Sequence, residues 1–126
     1  MADRIITNNP LVMERFADSL TVEYRELSRE EILTIVRDRV HTGGRLLTHP
    51  LAGGVKPGET PFISVMISDG PGPLDLDSLK LIEEGIAARA KFAVRDAGLT
   101  ESVRSDYMEI DLALISGALR HGGTVQ

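Results

Sequence analysis

The chain has 126 residues, a common size for one domain, and its formal net charge of −5 with no dense Lys/Arg cluster leaves no field to attract a phosphate backbone, so no nucleic-acid partner is expected. It contains no cysteine, which excludes disulfides, a thiolate nucleophile, Cys-ligated zinc and dithiol redox chemistry. No apolar run nears the ~20 residues that cross a bilayer and residues 1–4 lack a signal-peptide pattern, so a cytoplasmic protein with no membrane partner is expected.

Arg4-Ile5-Ile6-Thr7 is a β-branched run, hence a strand, and Asn8-Asn9-Pro10 turns it into a helix from about Pro10 to Asp18 that buries Leu11, Val12 and Phe16. From Leu20 to Glu26 the apolar residues Leu20, Val22 and Tyr24 alternate with polar ones, the period of a strand with one buried face. Ser28-Arg29-Glu30-Glu31 matches the capping box, in which Ser28 and Glu31 satisfy each other's backbone donors, so a helix starts here. Its Ile32, Ile35, Val36 and Val40 share a face, and Gly43-Gly44 closes it.

Arg45-Leu46-Leu47-Thr48 reads as a third strand, and the Gly- and Pro-rich stretch from Leu51 to Pro61 as a long loop or short lid. Phe62 to Ser68 forms a fourth strand, ended by Asp69-Gly70-Pro71-Gly72-Pro73. A long helix then runs from a cap at Asp75 or Asp77 to about Ala97, with Gly98 as its stop. The last segment carries both periods: Met108, Ile110, Leu112 and Leu114 alternate like a strand, while Tyr107, Ile110, Leu114 and Ala118 recur like a helix. Length and composition favour a helix capped by Ser105 or Asp106, with a tail from Arg120.

This order predicts a single α/β domain over residues 1–126: three layers, about four strands mostly parallel, and helices on both faces. Ligands in such sheets gather at the carboxyl ends of strands, where Thr7-Asn8-Asn9, Thr48-His49 and Ser68-Asp69 are expected to emerge together.

The best-supplied polar cluster is Thr48, His49, Lys56, Glu59 and Thr60, interleaved with Gly53, Gly54 and Gly58, whose amides permit close approach of a carboxylate or phosphate. The alternative is a turn-rich loop with solvated charges, and the spacing matches neither a P-loop nor a dinucleotide fingerprint. His49 is placed to serve as a base or ligand, against the alternative of a histidine bonded to nearby backbone. Asn8 and Asn9 either donate amide hydrogen bonds to a ligand or shape the turn before Pro10. The histidines show no metal-ligand spacing, and neither Ser64 nor Ser68 sits in a nucleophile elbow. Glu83, Glu84, Glu101, Glu109 and Asp111 read as solvated helix faces, and the residues indicate no particular cofactor.

Three segments together carry a resemblance: Ile5-Ile6-Thr7-Asn8-Asn9-Pro10-Leu11-Val12, Leu46-Leu47-Thr48-His49-Pro50-Leu51-Ala52-Gly53 and Val55-Lys56-Pro57-Gly58-Glu59-Thr60-Pro61. They resemble the GrdX family, small proteins named for genes that accompany glycine, sarcosine or betaine reductase components. The resemblance implies a context and no catalytic residues. Because reductive cleavage in those complexes relies on selenocysteine and thiols, a chain without cysteine is expected to be an accessory protein there and not the redox subunit.

Two functions follow as expectations. One is a noncatalytic accessory protein that binds a reductase component or a second copy of itself. The other is a domain or enzyme that holds an anionic metabolite, with Lys56, His49 and loop amides on the anion and Asn8 and Thr48 orienting it. Either way Asn8 and His49 are expected on the same sheet edge, with Lys56 and Glu59 folded toward it.

Overall fold

A computed structural model describes residues 3–48, 60–91 and 100–120. Among these the elements are β1 (Asp3–Thr7), α1 (Pro10–Phe16), β2 (Thr21–Tyr24), α2 (Arg29–His41), β3 (Arg45–Leu46), β4 (Ser64–Ser68), α3 (Leu76–Lys91) and α4 (Glu101–Arg120). The strands form one sheet in the order β2-β1-β4-β3. β1 and β2 are parallel, with Ile5 opposite Val22. β4 lies antiparallel to both its neighbours, with Ile5 opposite Met66 and Leu46 opposite Ile67. β1, β2 and β3 therefore share a direction, as their crossovers require, and β4 is reversed between β1 and β3.

That reversal corrects one expectation. β4 enters the sheet at Ser64 beside Thr7 and leaves at Ser68 beside Asp3, so Ser68-Asp69 emerges at the edge opposite Thr7-Asn8-Asn9. β3 ends on the edge where β4 begins, and an antiparallel strand can be entered from that edge without a crossover.

Strand alternation divides the core between two faces. On one, Ile6, Val65 and Ile67 pack beneath Ile32, Leu33, Val36 and Val40 of α2 and Ile82 of α3. On the other, Ile5 and Met66 meet Val12 of α1 and Ile115 of α4. Three layers result. Burying each such aliphatic side chain stabilises by roughly 1.5–3 kcal/mol, so the α2 stripe at helical spacing is a principal reason that the helix holds.

Local signals set the helix ends. Asn9 caps α1, its Oδ1 accepting from the Leu11 amide, and Pro10 occupies the first turn. Ser28 and Glu31 form the reciprocal capping box of α2. Gly43, at φ 106°, turns the chain out of that helix in a conformation that disfavours other residues. Asp75 caps α3 by accepting from the Ser78 amide. α4 begins earlier than expected, because Thr100 rather than Ser105 or Asp106 is its cap, accepting from the Val103 amide. The helical reading of this segment prevails because Asp111 and Ile115, four residues apart, are buried, whereas Ile110 is 41% exposed. The expected end of α3 near Ala97 and the stop at Gly98 lie outside the described residues.

At the amino-terminal edge of β1, charges tie four elements together. Arg4 Nε donates to Asp69 at 2.9 Å and its Nη1 to Glu23 at 3.2 Å, while Arg39 Nη2 reaches the same Glu23 at 2.7 Å. Burial pushes the Glu23 carboxyl upward, but the hydrogen bonds and charges of Arg39, with Arg25 and Arg4, outweigh it and hold the carboxyl below its ordinary value.

Candidate functional site

The carboxyl ends of β1 and β2, the start of β4 and the first turns of α2 and α4 meet at one sheet edge. Asn8 is the keystone of this junction. Its Nδ2 donates to the carbonyls of Leu27 at 3.0 Å and Pro61 at 2.8 Å, and its Oδ1 accepts from the Ile63 amide at 2.9 Å. One side chain thus closes the ends of three segments, in the way a strand would continue the ladder.

Asn9 faces the other layer. While Oδ1 caps α1, Nδ2 donates to the Met108 carbonyl at 2.9 Å and to Asp111 Oδ2 at 3.0 Å. Ser64 Oγ donates to the same carboxylate oxygen at 2.7 Å, and Thr7 Oγ1 lies 2.7 Å from Ser64 Oγ. The Thr7 hydroxyl also donates to the Ile63 carbonyl at 3.2 Å and accepts from the Asn9 amide at 3.0 Å. A hydrogen-bonded network thus joins Asn9, Thr7 and Ser64 to Asp111. Burial pushes the Asp111 carboxyl up, a shift only partly opposed by the bonds from Asn9 and Ser64 and by the Arg29 charge.

Asp111 corrects the expectation of a solvated helix face: it is 8% exposed. Its spacing held the signal, since Met108, Leu112 and Ile115 surround it on one helical face. Arg29 was also unanticipated, although it stands three and four residues before the buried Ile32 and Leu33. It is 6% exposed, and its Nη1 donates to the Phe62 carbonyl at 2.9 Å.

Among the described residues, a cleft of about 240 Å³ opens beside this junction. Asn8, Ser28, Arg29 and Arg104 give it polar groups, and Phe62 and Met108 belong to its apolar wall. The Arg104 guanidinium sits 4.9 Å from the centre of the Phe62 ring, so Arg29 grips that residue's backbone while Arg104 covers its ring. The positive end of the α2 dipole abuts the same space at Ser28. The acidic Glu26 lines the same cleft, and Glu30 and Glu31 stand in the first turn of α2.

The anticipated site residues are placed as follows. Asn8 lines the cleft, and Asn9 stands behind it in the α1–α4 layer. Both protons of each amide are already given to carbonyls or to Asp111, so the turn-forming role accounts for their bonds, and a ligand would have to displace one. Thr48 Oγ1 accepts from the Met66 amide at 2.9 Å, extending the β3–β4 pairing by a side chain. Thr60 Oγ1 accepts from the Phe62 amide at 3.2 Å and shapes the entry to β4. His49, Lys56 and Glu59 lie outside the described residues, as does the loop that carries them. Among the described residues no group of His, Cys, Asp and Glu is assembled to hold a metal ion, and no helix is long and apolar enough to cross a membrane.

A family model for GrdX-like proteins matches residues 4–120. No curated protein and no solved structure matches the chain.

Proposed function

We infer that this chain, which belongs to the GrdX-like family, is a noncatalytic accessory protein of glycine, sarcosine or betaine reductase systems, acting by binding a reductase component or a second copy of itself. The link to those systems rests on the resemblance, and a sequence without cysteine excludes the role of their thiol-bearing redox subunit. The observation that carries the reading is the commitment of the junction's polar groups to the fold itself. The Asp111 carboxylate, the nearest thing to a buried base, already accepts from Asn9 and Ser64, and the Asn8 amide is filled by three backbone partners. Groups so engaged hold a surface in shape. The test is affinity capture of the tagged chain from cells grown on glycine or betaine: a reductase component should be retained, and its repeated absence at low salt would refute the association.

A second reading is favoured by the cleft. Arg29 and Arg104 line it beside the α2 amino terminus, features that attract a small anion, with Glu26 opposing them. A thermal-shift screen of carboxylates, phosphates and nucleotides tests it, since a ligand at ~100 times its dissociation constant stabilises by ~2.7 kcal/mol. Repeating the screen with Lys56→Ala asks whether the Gly-rich loop takes part.

A further inference from the structure

We propose that β2 is a dimerisation edge: two copies of this chain join their sheets by pairing β2 with β2 antiparallel about a two-fold axis beside Glu23, so that Val22 of each copy faces Tyr24 of the other. This rests on the reading of a protein that binds a second copy of itself, and it names the surface.

β2 ends the sheet on one side, so β1 can meet only half of its backbone groups. The Arg25 amide donates to the Thr7 carbonyl at 2.9 Å. Successive residues of a strand point their peptide groups to opposite sides, so Thr21 and Glu23 also face β1, while Val22 and Tyr24 turn both amide and carbonyl outward. Among the described residues none pairs with those outward groups. The opposite edge is closed: β3 has two residues, and its outward Leu46 amide donates to Ser78 Oγ of α3 at 2.9 Å. An open edge is a template for another strand.

The outward groups of β2 are their own complement under a two-fold. Val22 and Tyr24 of facing copies exchange N–H···O=C bonds in both directions, and no outward group of the strand is left unmet. A foreign extended peptide would fill the same backbone groups, but the side chains favour a second copy. Val22 opposite Tyr24 is a β-branched residue against an aromatic one, a favourable cross-strand pair, and both are half-buried already. On the other face Glu23 meets its counterpart, a like-charge pair that Arg4, Arg25 and Arg39 of each copy offset. Arg25, its side chain 55% exposed, lies diagonal to the other copy's Glu23, within reach of a long side chain.

The test is sedimentation equilibrium of the full chain over a concentration series, combined with amide hydrogen exchange. A reversible dimer is expected, with exchange at Val22 and Tyr24 slowing as concentration rises. Val22→Pro deletes one outward donor per copy and leaves the bonds to β1, so it should weaken the dimer about tenfold or more. Arg25→Glu, at an exposed position, should weaken it too and serves if circular dichroism shows the proline variant unfolded. A chain that stays monomeric at every concentration would overturn the proposal, while capture of a reductase component would still test the accessory reading separately. A dimer that ignores both substitutions, with Val22 and Tyr24 exchanging at the monomer rate, would overturn it by placing the interface elsewhere. Protection of those amides only when a reductase component is added would overturn it by giving the edge to that partner.

Discussion

Asp111 of α4 and Ser64 of β4 share a hydrogen bond of 2.7 Å across 47 residues of chain, and through it the carboxyl-terminal helix is fastened to the start of the reversed strand. Removing either partner strands the other in a buried site. Asp111→Ala and Ser64→Ala should each cost about 1–3 kcal/mol in denaturant unfolding. Because they act through one bond, the double variant should cost less than the sum, by roughly 0.5–3 kcal/mol. Strict additivity in that cycle would show that the two groups do not depend on each other.

The same carboxylate sets a pH dependence. Its folded-state pKa is raised above the ordinary 3.8, chiefly by burial, so the folded protein binds the proton more tightly than the unfolded chain. Relative to Asp111→Asn, the wild-type chain should lose stability as pH rises from 3.8 through the raised value, and the difference should then level off. Unfolding midpoints measured for both proteins across that range check this, and parallel curves would contradict it.

Glu23 behaves in the opposite sense. Its pKa is held below the ordinary 4.5, so its contribution is fully present above that value and is lost as pH falls through the lowered one. Glu23→Gln should be less stable than wild type at neutral pH by about 1–3 kcal/mol, since Arg39 and Arg4 lose a charged acceptor. The gap should close in acid, which the same midpoints reveal.

Asn8 can be probed by a charge-for-amide exchange. Asn8→Asp keeps an acceptor for the Ile63 amide but turns a second acceptor on the carbonyls of Leu27 and Pro61. Asn8→Ala leaves all three groups without their partner and should destabilise by roughly 3 kcal/mol or more. Both variants should speed amide exchange at Ile63, Asn8→Ala the more, and unchanged protection there would show that Asn8 does not close the junction.

Gly43 and Gly72 meet where α2 ends, yet only one of them resists a side chain. A Cβ on Gly43 would run into the Gly72 backbone nitrogen at a φ of +106°, so Gly43→Ala should cost about 2 kcal/mol or more. A Cβ on Gly72 would lie 3.9 Å from the Gly43 carbonyl oxygen, an ordinary contact, and Gly72→Ala should be tolerated. Thermal unfolding of the pair distinguishes them, and equal losses would place the constraint elsewhere.

What the sequence determined by itself was whatever is settled within a few residues along the chain. The capping box of Ser28 and Glu31, the Asn9-Pro10 start of α1, the exit at Gly43 and the apolar stripe of α2 depend on groups at most a turn or so apart, and all were legible. The three-layer α/β class followed from the order of those elements, and the GrdX resemblance from short motifs. Only the tertiary structure decided the direction of β4, because a period of two reads the same both ways along a strand. It also decided that Asp111 is buried against Asn9, 102 residues away, and that Arg29 and Arg104, from helices in opposite layers, converge on Phe62. A charged residue's partners at such separations leave no trace in local spacing, since burial is chosen by which faces the packed layers bring together.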